Sequence, residues 1–405
     1  MKILQINCVY KNGSTGKIIA DIHSELLKNG IESVVCYGRG KRTNEPYVYK
    51  TCGEFYSKLN NLWSRITGVM YGGCALSTHR LISIIKKEKP DVVHIHCING
   101  YFVNIYRLIQ FLKKTKIKTV LTLHAEFMYT ANCGYALDCN KWQLGCGQCP
   151  RLRQETKSFF FDRTQTSWKR MKNAFDGFDN LIVTSVSPWL MERAKKSSIL
   201  ADKQHCVVFN GLDTSVFYPR DARDLVKKHN LEDYKVIFHA TPYFSEDPDH
   251  FKGGYYVLEL AKRLQDQKHI KIIVAGAHSA ELNIPDNVIL LGRVSDQILL
   301  AKYYSLSDVT VLTSKKETFS MICAESLCCG TPIVGFKACG PEQIALPQYS
   351  FFVDQGDMCA LEENIMNIIN SDEMPNFFAE AKKRYNKESM THHYCNIYKK
   401  LFEDV

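Results

Sequence analysis

Short, nearly continuous apolar runs alternate with amphipathic stretches along the whole chain. In the first half the runs are "KILQINCV", "ESVVCYG", "DVVHIHC", "KTVLTLH", "NLIVTS" and "HCVVFN". In the second they are "KVIFHAT", "IKIIVAG", "NVILLGR", "VTVLTS", "TPIVGF" and "SFFVD". Between them lie helix-period segments such as "YYVLELAKRLQ" and "DQILLAKYYSLS". Apolar strands without a polar face, joined through helices, predict parallel sheets covered on both sides. The pattern breaks near "FNGLDTSVFYPRD". An α/β protein is therefore expected, with two Rossmann-like domains over residues 1–215 and 216–385 facing a central cleft. Ligands of such sheets lie at the carboxyl ends of the strands. The tail "MPNFFAEAKKRYNKESMTHHYCNIYKKLFEDV" reads as two helices. The last, within 386–405, carries Tyr394, Ile397, Tyr398 and Leu401 as a packing stripe and is expected to cross back to the first domain.

A chain of 405 residues is too long for one ordinary core, in keeping with two domains. With 45% hydrophobic and 23% charged residues it is not a disordered chain. The longest apolar runs are strand-sized, far below the roughly 20 residues that span a bilayer. The first residues enter a strand with no charged-then-apolar leader, which predicts a cytoplasmic protein. Its sixteen cysteines are then thiols or metal ligands rather than disulfides. Cys8, Cys36, Cys206 and Cys323 sit in apolar runs as small buried hydrophobes.

The net charge of +10 is unevenly shared. Residues 1–215 hold 31 Lys and Arg against 16 Asp and Glu, or +15; the remainder holds 21 against 26, or −5. A basic half points to an anionic partner. Nucleic acid is not expected, since no nucleic-acid-binding motif is present. An anionic membrane surface on the inner face of the cell membrane and a phosphorylated substrate both fit.

The loop "VYKNGSTGKIIADI" (9–22) lies between the first strand and a helix-like stretch. It is not a P-loop: Lys11 stands where the first Gly is needed, and Ile18 where Ser or Thr must follow Lys17. No G-x-G-x-x-G can be read either. What remains is a small-residue turn at a helix N-terminus, which favours an anion; from these residues alone an ordinary tight β–α turn is the stronger reading. The segment "SKKETFSMICAESLCCGTPIVGF" (314–336) says more. Glu317 and Glu325 have seven residues between them across a strand-to-helix junction, and the amides of Phe319, Ser320 and Met321 open the helix toward a diphosphate. The plain alternative is a pair of helix-start glutamates favoured by the dipole.

E-x7-E followed by "CCGTPIV", with "FKGGYYVLELAKRL", "VVFNGLD" and "VILLGRV" before it, resembles the family-four retaining glycosyltransferases of the GT-B fold over nearly the whole chain. "DVVHIHCINGYFVNI", "VLTLHAEFMYTANCGYALDC" and "CGQCP" look like the capsule and exopolysaccharide branch of that family. The resemblance implies that Lys252 binds the donor diphosphate and stabilises the leaving group. It implies that Glu325 holds the ribose, that Glu317 and the amides of 319–321 hold sugar and phosphates, and that Arg293 and Val294 border the base. Gly13, Ser14, Thr15 and Gly16 would close on the donor phosphate, and His124 would touch the transferred sugar. A catalytic metal is not implied. Two positions depart from the family. Where it usually has an Arg about six residues before the lysine, this chain offers Glu246, Asp247 and His250, and Ala125 then Glu126 follow His124 where an Asp is usual.

His94 and His96 alternate on one strand and so share a face. A metal pair lacks a third ligand, so His94 is read as buried and hydrogen-bonded. His96, Asn99 and Glu126 are candidates for acceptor contact. Cys133, Cys139, Cys146 and Cys149 stand as C-x5-C-x6-C-x2-C in an insertion, 126–150, without evident secondary structure. Structural zinc ranks ahead of free thiols there, and a disulfide pair third. Segment 151–175 mixes basic residues with Phe159, Phe160, Phe161 and Trp168. It reads either as a membrane-interfacial patch, with the run 113–118 beside it, or as a helix packing its aromatics inward.

Together these readings predict a glycosyltransferase moving a sugar, with retention, from a nucleotide-sugar donor to a lipid-linked or saccharide acceptor in surface polysaccharide synthesis. The rivals are a nucleotide-sugar epimerase or phosphorylase on the same fold, and a noncatalytic membrane- or nucleic-acid-binding scaffold.

Overall fold

The computed structural model describes residues 1–371 and 376–403. Of the tail read as two helices, Met374, Pro375, Asp404 and Val405 fall outside the described residues. The chain divides into two compact units, Met1–Asn210 together with the tail from Met390, and Gly211–Ser389. The division follows Asn210, five residues before the sequence-based boundary.

The first unit is built on seven strands: β1 (Lys2–Val9), β2 (Glu32–Arg39), β3 (Val48–Lys50), β4 (Val92–Ile95), β5 (Lys118–Leu123), β6 (Leu181–Ser185) and β7 (Gln204–Val207). Their order is β3-β2-β1-β4-β5-β6-β7 and every pairing is parallel. Strands β4 and β6 are buried along their whole length, as continuous apolar runs require when both faces are covered. The edge strand β3 is not evident in the sequence. "VYK" is three residues long and flanked by polar positions, so it carries no periodic signal.

The second unit holds β8 (Lys235–Tyr243), β9 (Ile270–Ala277), β10 (Val288–Gly292), β11 (Val309–Leu312), β12 (Ile333–Phe336) and β13 (Ser350–Val353). Their order is β10-β9-β8-β11-β12-β13, again all parallel. Its core gathers Ile237, Ile272 and Val311 from the strands with Val257, Leu260 and Ile365 from the covering helices.

The final helix, Lys387–Glu403, packs on the first sheet. Tyr398 Oη lies 2.7 Å from His94 Nδ1, and Tyr394 Oη lies 3.1 Å from Thr122 Oγ1. His94 is fully buried and its Nε2 lies 2.7 Å from Thr122 Oγ1, so both ring nitrogens are engaged. Burial holds its pKa well below the ordinary imidazole value.

Candidate active site

In the second unit the site grows from the end of β11. Beyond Leu312 the chain turns through Glu317, whose backbone is pinned on both sides: its N–H donates to Ala338 O at 2.8 Å, and Gly340 N–H donates to its carbonyl at 3.0 Å. The turn carrying Lys252 approaches from the end of β8. Gly253 has φ +69°, and a Cβ there would stand 2.0 Å from Thr313 O. Only glycine allows this approach. As a result Lys252 Nζ donates to Glu317 Oε1 at 2.6 Å, with both side chains largely buried.

Ser320, Phe319 and Met321 form the start of the helix Met321–Cys328. Ser320 adopts φ +75°, which is costly for a residue with a side chain. Its hydroxyl is buried with no hydrogen-bond partner. An orphaned hydroxyl on a strained residue at a helix N-terminus is what a bound anion would satisfy. Glu325, one turn along, accepts from Tyr304 Oη at 3.1 Å. Tyr304 is buried, and burial together with the glutamate pushes its phenol pKa far up, so it remains a donor. Arg293 and Val294 follow β10 directly, with Arg293 exposed.

The first unit brings its candidates to the ends of β1, β4 and β5. Gly13, Ser14, Thr15 and Gly16 are not a loop before the helix but the first turn of the helix Gly13–Lys28 itself. No side chain caps this turn. A Cβ on Gly16 would press on Val9 and the Lys11 amide at 3.1 and 3.3 Å. Asn7, buried in β1, donates to Thr15 Oγ1 at 3.3 Å and to Val9 O at 2.7 Å, and accepts from the Cys97 N–H at 3.0 Å. Cys97 Sγ lies 3.1 Å from Asn99 Oδ1. His96 Nδ1 lies 3.2 Å from His124 Nε2. Desolvation lowers both imidazoles, His124 to about 4.

Two residues that hold this geometry escaped the sequence reading. Tyr304 lies in the helix-period segment "DQILLAKYYSLS", where periodicity does not reveal the role of its polar tip. Asn7 was visible as an amide inside the apolar run "KILQINCV".

The structure changes or divides several of these expectations. Glu126 is no acceptor contact: it is fully buried, its Oε1 receives Arg193 Nε and Tyr129 Oη at 2.5 Å each, and its Oε2 receives the Ala136 N–H at 2.6 Å. It anchors the insertion. The zinc expectation finds no support. Among the described residues no group of three or more His, Cys, Asp or Glu is placed to hold a metal ion, and the four insertion cysteines are free thiols. The insertion is held instead by Glu126, by buried Trp142, and by the Cys149 N–H donating to Asp162 at 2.6 Å. The basic run 113–118 is partly occupied within the fold. Lys113 donates to Asn173 O and Asp176 O, and Lys118 donates to Leu401 O and lies over the Phe402 ring. Segment 151–175 splits: Trp168, Met171 and Phe175 pack inward, while Phe159, Phe160 and Phe161 are exposed.

Two family models match the chain, the description "Glycosyltransferase Family 4" over residues 15–216 and "Glycosyl transferases group 1" over residues 227–385. The chain belongs to glycosyltransferase family 4. This family-four glycosyltransferase is 21% identical, over 99% of its own length and 100% of the other, to WcaC of Escherichia coli K12, described as a colanic acid biosynthesis glycosyl transferase. Its fold matches sucrose-phosphate synthase of Thermosynechococcus elongatus with a TM-score of 0.68 and 14% identity, covering 100% of both chains. HepE of Anabaena, solved in complex with UDP-glucose, matches with a TM-score of 0.62 and 15% identity over 98% of this chain and 99% of that one. The two parallel sheets are thus those of a GT-B fold. As a family-four glycosyltransferase the protein is an enzyme that uses a nucleotide-sugar donor, in a family that usually works without a metal. No helix among the described residues is long and apolar enough to cross a membrane.

Proposed function

We propose that the enzyme transfers a hexosyl group with retention of anomeric configuration to a lipid-linked or oligosaccharide acceptor in surface polysaccharide synthesis, on the cytoplasmic side of a membrane. The observation that carries the reading is the Lys252–Glu317 pair beside the uncapped, strained Ser320. The ammonium meets the donor β-phosphate and balances the charge that develops as the sugar departs. The amides of 319–321 and the Ser320 hydroxyl receive the remaining phosphate oxygens, and Glu317, released from Lys252, takes sugar hydroxyls. Glu325, held by Tyr304, accepts from the ribose, while Arg293 and Val294 flank the base. For the first unit the family resemblance supports donor-phosphate contact for Gly13–Gly16, sugar contact for His124, and acceptor contact for His96 and Asn99. Retention follows if the departing β-phosphate takes the acceptor proton on the face the sugar leaves from. The lost Arg before Lys252 leaves this lysine as the principal cation of its turn.

A panel of nucleotide sugars, followed by proton NMR of the released or transferred sugar, tests the reading. The first-formed product is expected to keep the donor's anomeric configuration. Glu325→Ala is expected to weaken donor binding by ~1–3 kcal/mol, about 5- to 150-fold, because a buried hydroxyl pair loses its acceptor. Inverted product, sugar rearranged without any acceptor, or undiminished affinity in Glu325→Ala would overturn it.

A further inference from the structure

The helix Glu54–Thr67 is packed inside out. Phe55, Leu59, Leu62, Trp63 and Ile66 recur at the spacing of one helical face, the kind of stripe that ordinarily faces a core. Here that face is turned to solvent: Phe55 is 76% exposed and the other four between 42% and 46%. The opposite face is the buried one, and it is polar. Ser57 Oγ donates to Gly100 O at 3.0 Å, and Ser64 Oγ donates to Val69 O at 2.9 Å. These bonds fix the rotation of the helix, so the exposure is a built feature of the unit.

The stripe does not end with the helix. The Phe159 N–H donates to Arg65 O at 2.8 Å, the Arg65 guanidinium lies over the Phe159 ring at 4.5 Å, and the Phe161 backbone abuts Gly68. Phe159, Phe160 and Phe161, all exposed, thereby extend the apolar face. Leu76, 73% exposed, adjoins it at the other end, its N–H donating to Tyr56 Oη at 3.2 Å. A contiguous exposed apolar surface of this kind marks a contact site.

The flanking charge selects the partner. Lys58, Arg65, Lys157 and Arg163 border the patch. The acids nearby are already engaged: Glu54 with Arg39 and Lys50, Glu155 with Arg151, and Asp162 with Thr164 and the Cys149 amide. We infer that this face, the Glu54–Thr67 stripe joined to Phe159–Phe161, seats the enzyme on an anionic lipid bilayer. The aromatic and aliphatic side chains enter the interface and the cations meet the headgroups. The face lies on the surface, because no described helix can span the bilayer. The inference rests on the membrane-side transfer proposed above, but lipid binding and donor turnover are separate readouts, so either can fail alone.

The test is flotation of the full-length protein with vesicles of phosphatidylcholine alone or with 3:1 phosphatidylcholine and phosphatidylglycerol, in low and high salt. Binding is expected only to the anionic vesicles and to weaken with salt. Leu62→Ser/Trp63→Ser and, separately, Phe160→Ser are expected to reduce partitioning at least tenfold with circular dichroism and donor turnover on a soluble acceptor unchanged. Of the four tryptophans, Trp142 and Trp168 are buried and Trp189 is half-buried against the Arg193 guanidinium, so most of a blue shift of emission on binding should be lost in Trp63→Phe while flotation persists. Failure of the wild type to float with anionic vesicles at low salt, equal flotation of the serine variants, or a stable dimer that these substitutions dissociate would overturn the inference, the last by assigning the face to a second copy of the chain.

Discussion

Lys252→Ala is expected to lower turnover ~10²-fold or more, the size of loss that follows removal of one preplaced stabiliser of developing charge. Lys252 is positioned by the Gly253 turn and held 2.6 Å from Glu317, so its ammonium is in place before any donor arrives. Once the donor has displaced Glu317, it needs no further reorganisation as the leaving group gains charge. The same substitution strands the largely buried Glu317 carboxylate, and removing one partner of such a pair also destabilises a fold. The double variant Lys252→Ala/Glu317→Gln separates the effects: it should recover melting temperature and stay inactive. Steady-state turnover and thermal melting of both variants decide. Turnover within threefold of wild type in Lys252→Ala, with only the melting temperature lowered, would make the lysine a structural partner of Glu317.

The second large effect is a loss of stability in mild acid. His94 and His96 in the first unit and His239 in the second are buried, and desolvation lowers all three, His239 to about 4. An unfolded imidazole titrates near 6.5. Between that value and the folded one the unfolded chain binds more protons, so stability rises with pH across this window and is lost as pH falls through it. At pH 5 a histidine with a folded pKa near 4 contributes a loss of about 2 kcal/mol. The first unit, with two such side chains plus the lowered His124, should open first. Denaturant unfolding at pH 7.5 and pH 5, with proteolytic mapping of the unit released, checks this. An unchanged midpoint would mean that the buried imidazoles carry protons in the folded state.

How far the sequence could be read follows from what each signal contains. Continuous apolar runs such as "DVVHIHC" and "KIIVAG" have one consistent home, a two-sided parallel sheet, and there β4 and β9 lie. The Glu317–Glu325 segment stood out by its spacing across a strand-to-helix junction, whereas the turn around Lys252 was singled out only by the family resemblance of "FKGG". Periodicity, by contrast, says which residues share a face and nothing about which face turns inward. That is why the helix Glu54–Thr67, whose inner face is Ser57 and Ser64, was silent in the sequence. Glu126 and Lys118 looked free because a charge pattern does not reveal distant partners, here Arg193 and the Leu401 carbonyl. The cysteine spacing resembled a metal half-site, and Cys133 does lie within electrostatic reach of Cys139, Cys146 and Cys149, yet among the described residues no such group is placed to hold a metal ion.

Hydrogen exchange of the full chain with and without saturating UDP-glucose, followed by mass spectrometry, tests the central assignment most directly, with other nucleotide sugars substituted where it does not bind. The account predicts protection concentrated in two stretches of the second unit, around Lys252–Gly254 and across Glu317–Glu325. Binding that protects other parts of this unit and leaves both stretches unchanged would contradict it.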